Sequence, residues 1–347
     1  MGARRRRAVR NHDAVASARR VDVDVDPFER IEELTRVNRT ARDPRIEVEL
    51  VRLRHEAFAA LDRSPVPEFE PVTAAGEGNA ELAEVSAEDL SAEALRDGFA
   101  RQGCLLVRNL VPPDRVQRLV DGIDRSFAAF DAGLAGAKPA ETLPWYAPFR
   151  PTLGKYRTGG RQSWLRAGGT MWTADSPRML FELIELVDEL GVGAMVADYL
   201  KERPALSGNK CTLRRVPVDA ELANWHQDGA FLGGAGARTV NFWLSLSRCG
   251  RDAPGMDIVP RRIDEVLETG TEGAFFRWST SPDVVRRAAG DTPILRPEFG
   301  PGDALFFDHL FLHRTAAEPG MTRERYAMET WFFAPSTYPD DQIPLVY

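Results

Sequence analysis

Trp225-His226-Gln227-Asp228-Gly229 is the stretch on which the reading of this chain turns. Side chains on an extended strand return to the same face every second residue, so His226 and Asp228 can offer an imidazole nitrogen and a carboxylate oxygen to one ion. A second imidazole arriving from a distant strand would complete a face of two histidines and one carboxylate. That donor set leaves three adjacent positions of an octahedral Fe(II) open for a co-substrate and O2. His-x-Asp triplets also arise by chance, and a lone histidine is more often a surface or core residue than a ligand, so the rest of the chain has to decide.

The bulk numbers narrow the field. At 347 residues with 43% hydrophobic content, the chain is long enough for one large domain or two ordinary ones and can bury a sizeable core. A net charge of −7 argues against general nucleic-acid binding, which draws on excess positive charge. Three cysteines (Cys104, Cys211, Cys249), with no CxxC, fit reduced thiols in the cytoplasm better than a secreted disulfide framework. Only five histidines exist (His12, His55, His226, His309, His313), so candidate ligands are few. No run approaches the ~20 apolar residues of a membrane span. Arg4–Arg7 opens the chain, but no apolar segment follows as a secretory signal requires. Residues 1–26 therefore read as a disordered basic arm, a solvated tail more than an anion-binding patch.

From Pro27 to about Leu61 the apolar spacing is helical, and a proline- and glycine-bearing linker follows to about residue 84. Residues 27–84 are read as a helical extension and linker, and 85–347 as the main domain. Ser91–Gln102, Val116–Phe130 and Ser176–Leu200 carry further helical patterns; Cys104–Val111 reads as a strand. Residues 139–172 show no clear period and read as a lid or binding loop. After Gly208 the chain turns to short strands: Lys210–Val216, His226–Phe231, Thr239–Leu246, Met256–Val259, Ala304–His313 and Tyr326–Phe333. This pattern predicts an α+β fold, a double-stranded β-helix or jelly-roll (cupin-like) barrel over about 205–335, with helices of the N-terminal half on one outer face.

The distal histidine lies in Gly302-Asp303-Ala-Leu-Phe-Phe-Asp308-His309-Leu-Phe-Leu-His313-Arg314-Thr315. On one strand His309 and His313 would face the same side, and spacing alone cannot choose between them. Arg325, at the mouth of the next strand, has a guanidinium able to fork onto a carboxylate, although beside Arg323 and Glu324 it also reads as surface charge.

Taken together, His226-Gln-Asp228, Gly302-Asp303 with His313 ten residues later, and Arg325-Tyr-Ala resemble the phytanoyl-CoA dioxygenase-like (PhyH) group of Fe(II)/2-oxoglutarate oxygenases, over roughly residues 85–335. The resemblance implies His226, Asp228 and His313 as iron ligands, His313 being chosen over His309 by its spacing from the Gly-Asp turn. It implies that Arg325 and Thr315 bind the distal carboxylate of 2-oxoglutarate, with Trp243 and, more weakly, Thr212 lining that pocket; Trp243 reads equally as barrel core. The implied reaction consumes O2 and 2-oxoglutarate, releases succinate and CO2, and oxidises a small molecule. Related halogenases have Gly or Ala where this chain has Asp228, so hydroxylation or another oxidation is expected. The phytanoyl-CoA substrate does not carry over.

Substrate contacts are expected from Gln227 and Phe231 beside the ligands, and from Tyr146, Tyr156, Arg157, Arg161, Trp164 and Trp172 of the irregular loop. The loop arginines point to an acidic group on the substrate; an ordinary surface loop would read the same. Two other readings keep the fold: a non-catalytic or Zn-binding barrel, for which a carboxylate clamp at Arg325 and Thr315 would have no purpose, and an interaction module presenting residues 1–61.

Overall fold

Asp/Ser-Pro steps open four of the helices, the last of them at Ser281-Pro282. Helix α1 (Pro27–Thr40) starts on Asp26, whose carboxylate accepts the Phe28 N–H at 2.9 Å, and α2 (Pro44–Glu56) starts on Asp43, which accepts the Arg45 N–H at 2.8 Å. The single helical stretch expected over 27–61 is thus two helices. α3 (Ala92–Gln102) is capped by Ser91 and closed by Gly103 in the left-handed region, and α4 (Pro113–Leu134) and the short α5 (Pro139–Thr142) and α6 (Gln162–Ala167) follow. The Ser176-Pro177 step opens α7 (Pro177–Glu189). Gly191 (φ 67) separates it from α8 (Val192–Leu200), so the pattern over 176–200 also breaks in two. α9 (Pro282–Ala289) stands alone late in the chain. The computed structural model describes residues 26–67, 69–75, 81–154, 162–219, 224–232 and 236–347, without the side chains of 162–164. The basic arm, Tyr156, Arg157, Arg161 and the Trp164 side chain therefore lie outside the described residues. No helix among those described is long and apolar enough to cross a membrane.

The strands are β1 (Glu84–Ser86), β2 (Cys104–Arg108), β3 (Thr170–Trp172), β4 (Ala205–Ser207), β5 (Thr212–Val216), β6 (Thr239–Ser245), β7 (Gly255–Ile258), β8 (Ala304–Phe307), β9 (His313–Ala316), β10 (Arg325–Phe333) and β11 (Pro344–Val346). The large sheet runs β1-β2-β8-β6-β10-β4-β11, with β5 on the first half of β10 and β3 beyond it; β7 and β9 pair antiparallel in a second sheet. Alternation along β10 sorts two cores. Met328 and Phe332 face outward and share a core with Phe99 of α3, Ile123 and Phe127 of α4 and Leu183 of α7, while Ala327, Trp331 and Phe333 face inward with Phe307, Leu106 and Trp243. This is the expected jelly-roll with helices on one outer face. α1 and α2 contribute Ile31, Leu34 and Leu50 to the inward core.

The Gly302-Asp303 turn has a mechanical reason. Gly302 sits at φ 93, where a Cβ would come within 2.3 Å of the Val111 carbonyl. The Asp303 carboxylate accepts the N–H groups of Asn109 and Gly300 and pairs with Arg108 at 2.7 Å, anchoring the start of β8. The spacing to His313 is therefore set by a fixed point.

Candidate metal centre

Two segments meet. The His226 N–H donates to the His313 carbonyl at 3.0 Å and the His313 N–H to the His226 carbonyl at 3.1 Å. Gln227 stays extended (φ −110, ψ 136), which keeps His226 and Asp228 on one side, and the chain then curls into a 3-10 turn over Asp228–Ala230. The strand expected over 226–231 is a single bridge followed by that turn. The strand expected over 304–313 is likewise two, β8 and β9, with His309 in the turn between them. The two histidines do not share a strand face.

Among the described residues, His226, Asp228 and His313 form the one group of His, Cys, Asp or Glu side chains whose ligand atoms all lie within 4.8 Å of one another. His226 Nδ1 lies 2.9 Å from the Asn224 carbonyl and His313 Nδ1 3.0 Å from that of Phe311. Carbonyls only accept, so each Nδ1 carries the proton and each Nε2 keeps a free lone pair. His313 Nε2 stands 3.8 Å from Asp228 Oδ2, too far for a hydrogen bond and close enough for one ion to bridge. Burial, then the neighbouring His313, pushes the half-buried His226 imidazole down to about 4, so it stays neutral and able to ligate at ordinary pH. Of the other histidines, His309 shares a 3.1 Å hydrogen bond with Thr239, and His55 Nε2 accepts the Thr152 and Leu153 N–H groups; neither joins the cluster.

Across the large sheet, Trp172, Thr212, Glu329, Trp243 and Leu305 are successive register partners and so share the inward face. Arg214, two residues past Thr212, donates to both Glu329 oxygens at 2.9 and 3.1 Å, and the Thr212 hydroxyl donates to the same carboxylate at 2.9 Å. Burial raises the Glu329 pKa and Arg214 more than offsets it, leaving Glu329 below its ordinary value. Arg325 is 2% exposed. Its Nη1 donates to the Gly255 carbonyl at 2.8 Å, its guanidinium lies 5.7 Å from the Trp243 ring centroid, and its buried Nε has no partner. No carboxylate among the described residues pairs with it, and burial pulls its pKa down to about 10. Thr315, two residues past His313, faces Met256, the neighbour of Gly255.

Phe231 packs on His226 with ring centroids 6.1 Å apart. Gln227, expected in the substrate pocket, is spent on the backbone instead: its amide donates to the carbonyls of Leu310 and Glu265 and accepts the Leu267 N–H. Tyr146, expected over the iron, packs on Phe130 in the helix-side core. Sequence reading passed over Arg214 and Glu329, although a charged residue at an inward strand position is a visible signal. It also passed over Trp278, 5.7 Å from His226 centroid to centroid, which sits in an irregular loop with no period to betray it.

No protein-family model and no curated protein matches this chain. Solved structures do. EctD from S. alaskensis with 2-oxoglutarate and 5-hydroxyectoine is similar at 14% identity, over 80% of this chain and 88% of that one, with a TM-score of 0.50. The carbocyclase SnoK from nogalamycin biosynthesis aligns at 15% identity over 72% and 87%, with a TM-score of 0.46. At this identity the EctD likeness establishes the fold.

Proposed function

We propose that the protein is an Fe(II)- and 2-oxoglutarate-dependent dioxygenase of the phytanoyl-CoA dioxygenase-like kind, which hydroxylates or otherwise oxidises a small molecule with release of succinate and CO2. The observation that carries this is the pairing of a His226/Asp228/His313 cluster with a buried Arg325 that has no acid partner. A buried unpaired guanidinium is costly unless a ligand supplies the anion. The donor set fits the metal: two neutral imidazoles with free Nε2 atoms and one carboxylate suit Fe(II) with open positions. EctD, whose fold this chain shares, holds 2-oxoglutarate.

The bound iron with 2-oxoglutarate and O2 supplies the oxidising chemistry, and the chain supplies placement. His226, Asp228 and His313 hold the metal. The Asn224 and Phe311 carbonyls fix both imidazole tautomers. Arg325 takes the distal carboxylate of 2-oxoglutarate in two-pronged fashion, Thr315 adds a hydroxyl, and Trp243 and Thr212 wall the pocket. Glu329 neutralises Arg214 inside the barrel. Phe231 and Trp172 are the candidates for substrate contact. Residues 85–347 form the catalytic domain, with helices α1 and α2 packed on it. The three cysteines, free and buried, fit a reducing cytoplasm.

A zinc-binding or purely structural barrel would leave Arg325 without a purpose. The test is anaerobic addition of Fe(II) and 2-oxoglutarate, followed by visible spectroscopy and succinate measurement in air. We expect a charge-transfer band that needs both additions. Iron binding without any response to 2-oxoglutarate would defeat the oxygenase reading.

A further inference from the structure

A run of aromatic rings leads from the cluster to solvent. Trp278 meets His226 edge-on at 5.7 Å and Phe231 edge-on at 5.5 Å, and Phe276 stacks on Trp278 at 5.0 Å with 11° between the planes. Phe275 adds a ring against Phe276 at 4.7 Å. These are exposed residues: Phe275 72%, Phe276 40% and Trp278 36%. Exposed apolar surface of this kind commonly marks a binding site, and this patch is continuous with a candidate metal ligand.

The rings stand on a fixed base. Ser279 and Thr280 are buried, the Ser279 hydroxyl accepts the Phe276 N–H at 2.9 Å, and the Thr280 N–H donates to the Trp225 carbonyl at 2.8 Å, beside His226. At the inner end, Lys210 Nζ sits 3.8 Å from the Phe231 ring centroid. No hydrogen bond or ion pair ties it to any described residue. Burial pulls its pKa below the ordinary lysine value, and of the acids that oppose this, Asp228 belongs to the cluster, Glu329 is held by Arg214 and Asp341 accepts the Gln342 amide.

We propose that Phe231, Trp278 and Phe276 form a shelf that binds the primary substrate as a flat, unsaturated ring system, and that Lys210 receives an anionic group carried on that ring. Stacked and edge-on rings reward a planar π-face and offer little to a puckered saturated ring. The ammonium over Phe231 is placed to meet an acid entering along the shelf. This rests on the oxygenase reading for what happens next, and its test is independent of turnover.

The probes are 2-naphthoate, its neutral analogue 2-naphthamide, and decahydronaphthalene-2-carboxylate, which keeps the acid and loses the flat ring. Binding is titrated calorimetrically to the anaerobic protein loaded with Fe(II) and 2-oxoglutarate, and again to the metal-free protein. We expect 2-naphthoate to bind roughly tenfold tighter than the saturated acid, and Trp278→Ala and Phe276→Ala each to weaken it about two- to tenfold, while Trp278→Phe keeps most of the affinity. Lys210→Met should weaken 2-naphthoate, spare 2-naphthamide and leave 2-oxoglutarate affinity unchanged. Absent 2-naphthoate binding, equal binding of the saturated acid, or alanine variants that bind like wild type would overturn the shelf. Loss of 2-oxoglutarate affinity in Lys210→Met, with 2-naphthoate unaffected, would overturn the role of Lys210. Naphthoate binding in a protein that never loads iron and 2-oxoglutarate would keep the shelf and remove the oxygenase reading.

Discussion

His226 and His313 exchange both backbone hydrogen bonds of one antiparallel bridge, and their rings stand 4.5 Å apart, centroid to centroid. The main chain, independently of any ion, brings the two imidazoles together. Truncating a candidate ligand side chain therefore leaves the bridge in place, and loss of function can be separated from loss of fold.

His226→Ala, Asp228→Ala and His313→Ala should each lose bound Fe(II) and succinate formation while the circular dichroism spectrum stays native. His309→Ala should keep its iron, because that ring is engaged with Thr239 outside the cluster. The Thr239 hydroxyl keeps the hydrogen bond from the residue 309 N–H and loses only the one to the ring, a cost of about 0.5–1.5 kcal/mol seen as a lower Tm. A folded His309→Ala protein that is as iron-free as His313→Ala would show the wrong histidine has been chosen.

Arg325→Lys retains the charge and loses the fork. We expect the 2-oxoglutarate KM to rise by roughly ten- to a hundredfold, as loss of about 1.5–3 kcal/mol of charge-assisted hydrogen bonding predicts, with iron affinity unchanged. Steady-state kinetics in 2-oxoglutarate would decide; an unaltered KM removes Arg325 from the co-substrate pocket.

Glu329 is the acid held by Arg214, and Arg325 also feels its charge. Glu329→Ala should destabilise the protein by about 1–3 kcal/mol, the cost of unpairing a charge-assisted hydrogen bond to a partly buried guanidinium. Urea unfolding measures this. A change below about 1 kcal/mol would mean that the pair is screened by solvent like an exposed surface salt bridge.

Asp175 is buried, accepts the Phe149 N–H at 2.7 Å, and burial pushes its carboxyl up to about 7. Between its ordinary value near 4 and that value, the folded state binds the extra proton, so its contribution to stability falls as pH rises through this window. Asp175→Asn keeps the acceptor and stays neutral. Its stability gain over wild type should be small at pH 4 and grow by about 1.4 kcal/mol for each pH step of one across the window, reaching a few kcal/mol by pH 8. A gain independent of pH would show that the carboxyl is not displaced.

Much of the centre was legible in the chain. Two-residue periodicity placed His226 and Asp228 on one side, and this survives because only Gln227, the residue between them, has to be extended. Gly302 and Asp303 read as a turn, and steric exclusion at φ 93 explains why. Strand limits failed where hydrogen bonding stopped early: after Phe307, and after the single bridge at His226. Both breaks fall on polar residues, Asp308-His309 and Gln227-Asp228-Gly229, which on an extended strand are equally well explained as side chains facing a site.

Local sequence determined the helix starts at Asp26, Asp43 and Ser176, the alternation of β10 and the candidate ligand types, because each depends on a residue and its near neighbours. Tertiary structure alone decided that His313 and not His309 faces Asp228, that Arg325 is buried without an acid, and that Trp278 stands beside His226. Those facts depend on which distant segments pair across the barrel. Register between strands is set by packing and backbone hydrogen bonding summed over the whole sheet, a quantity that no short window of sequence contains.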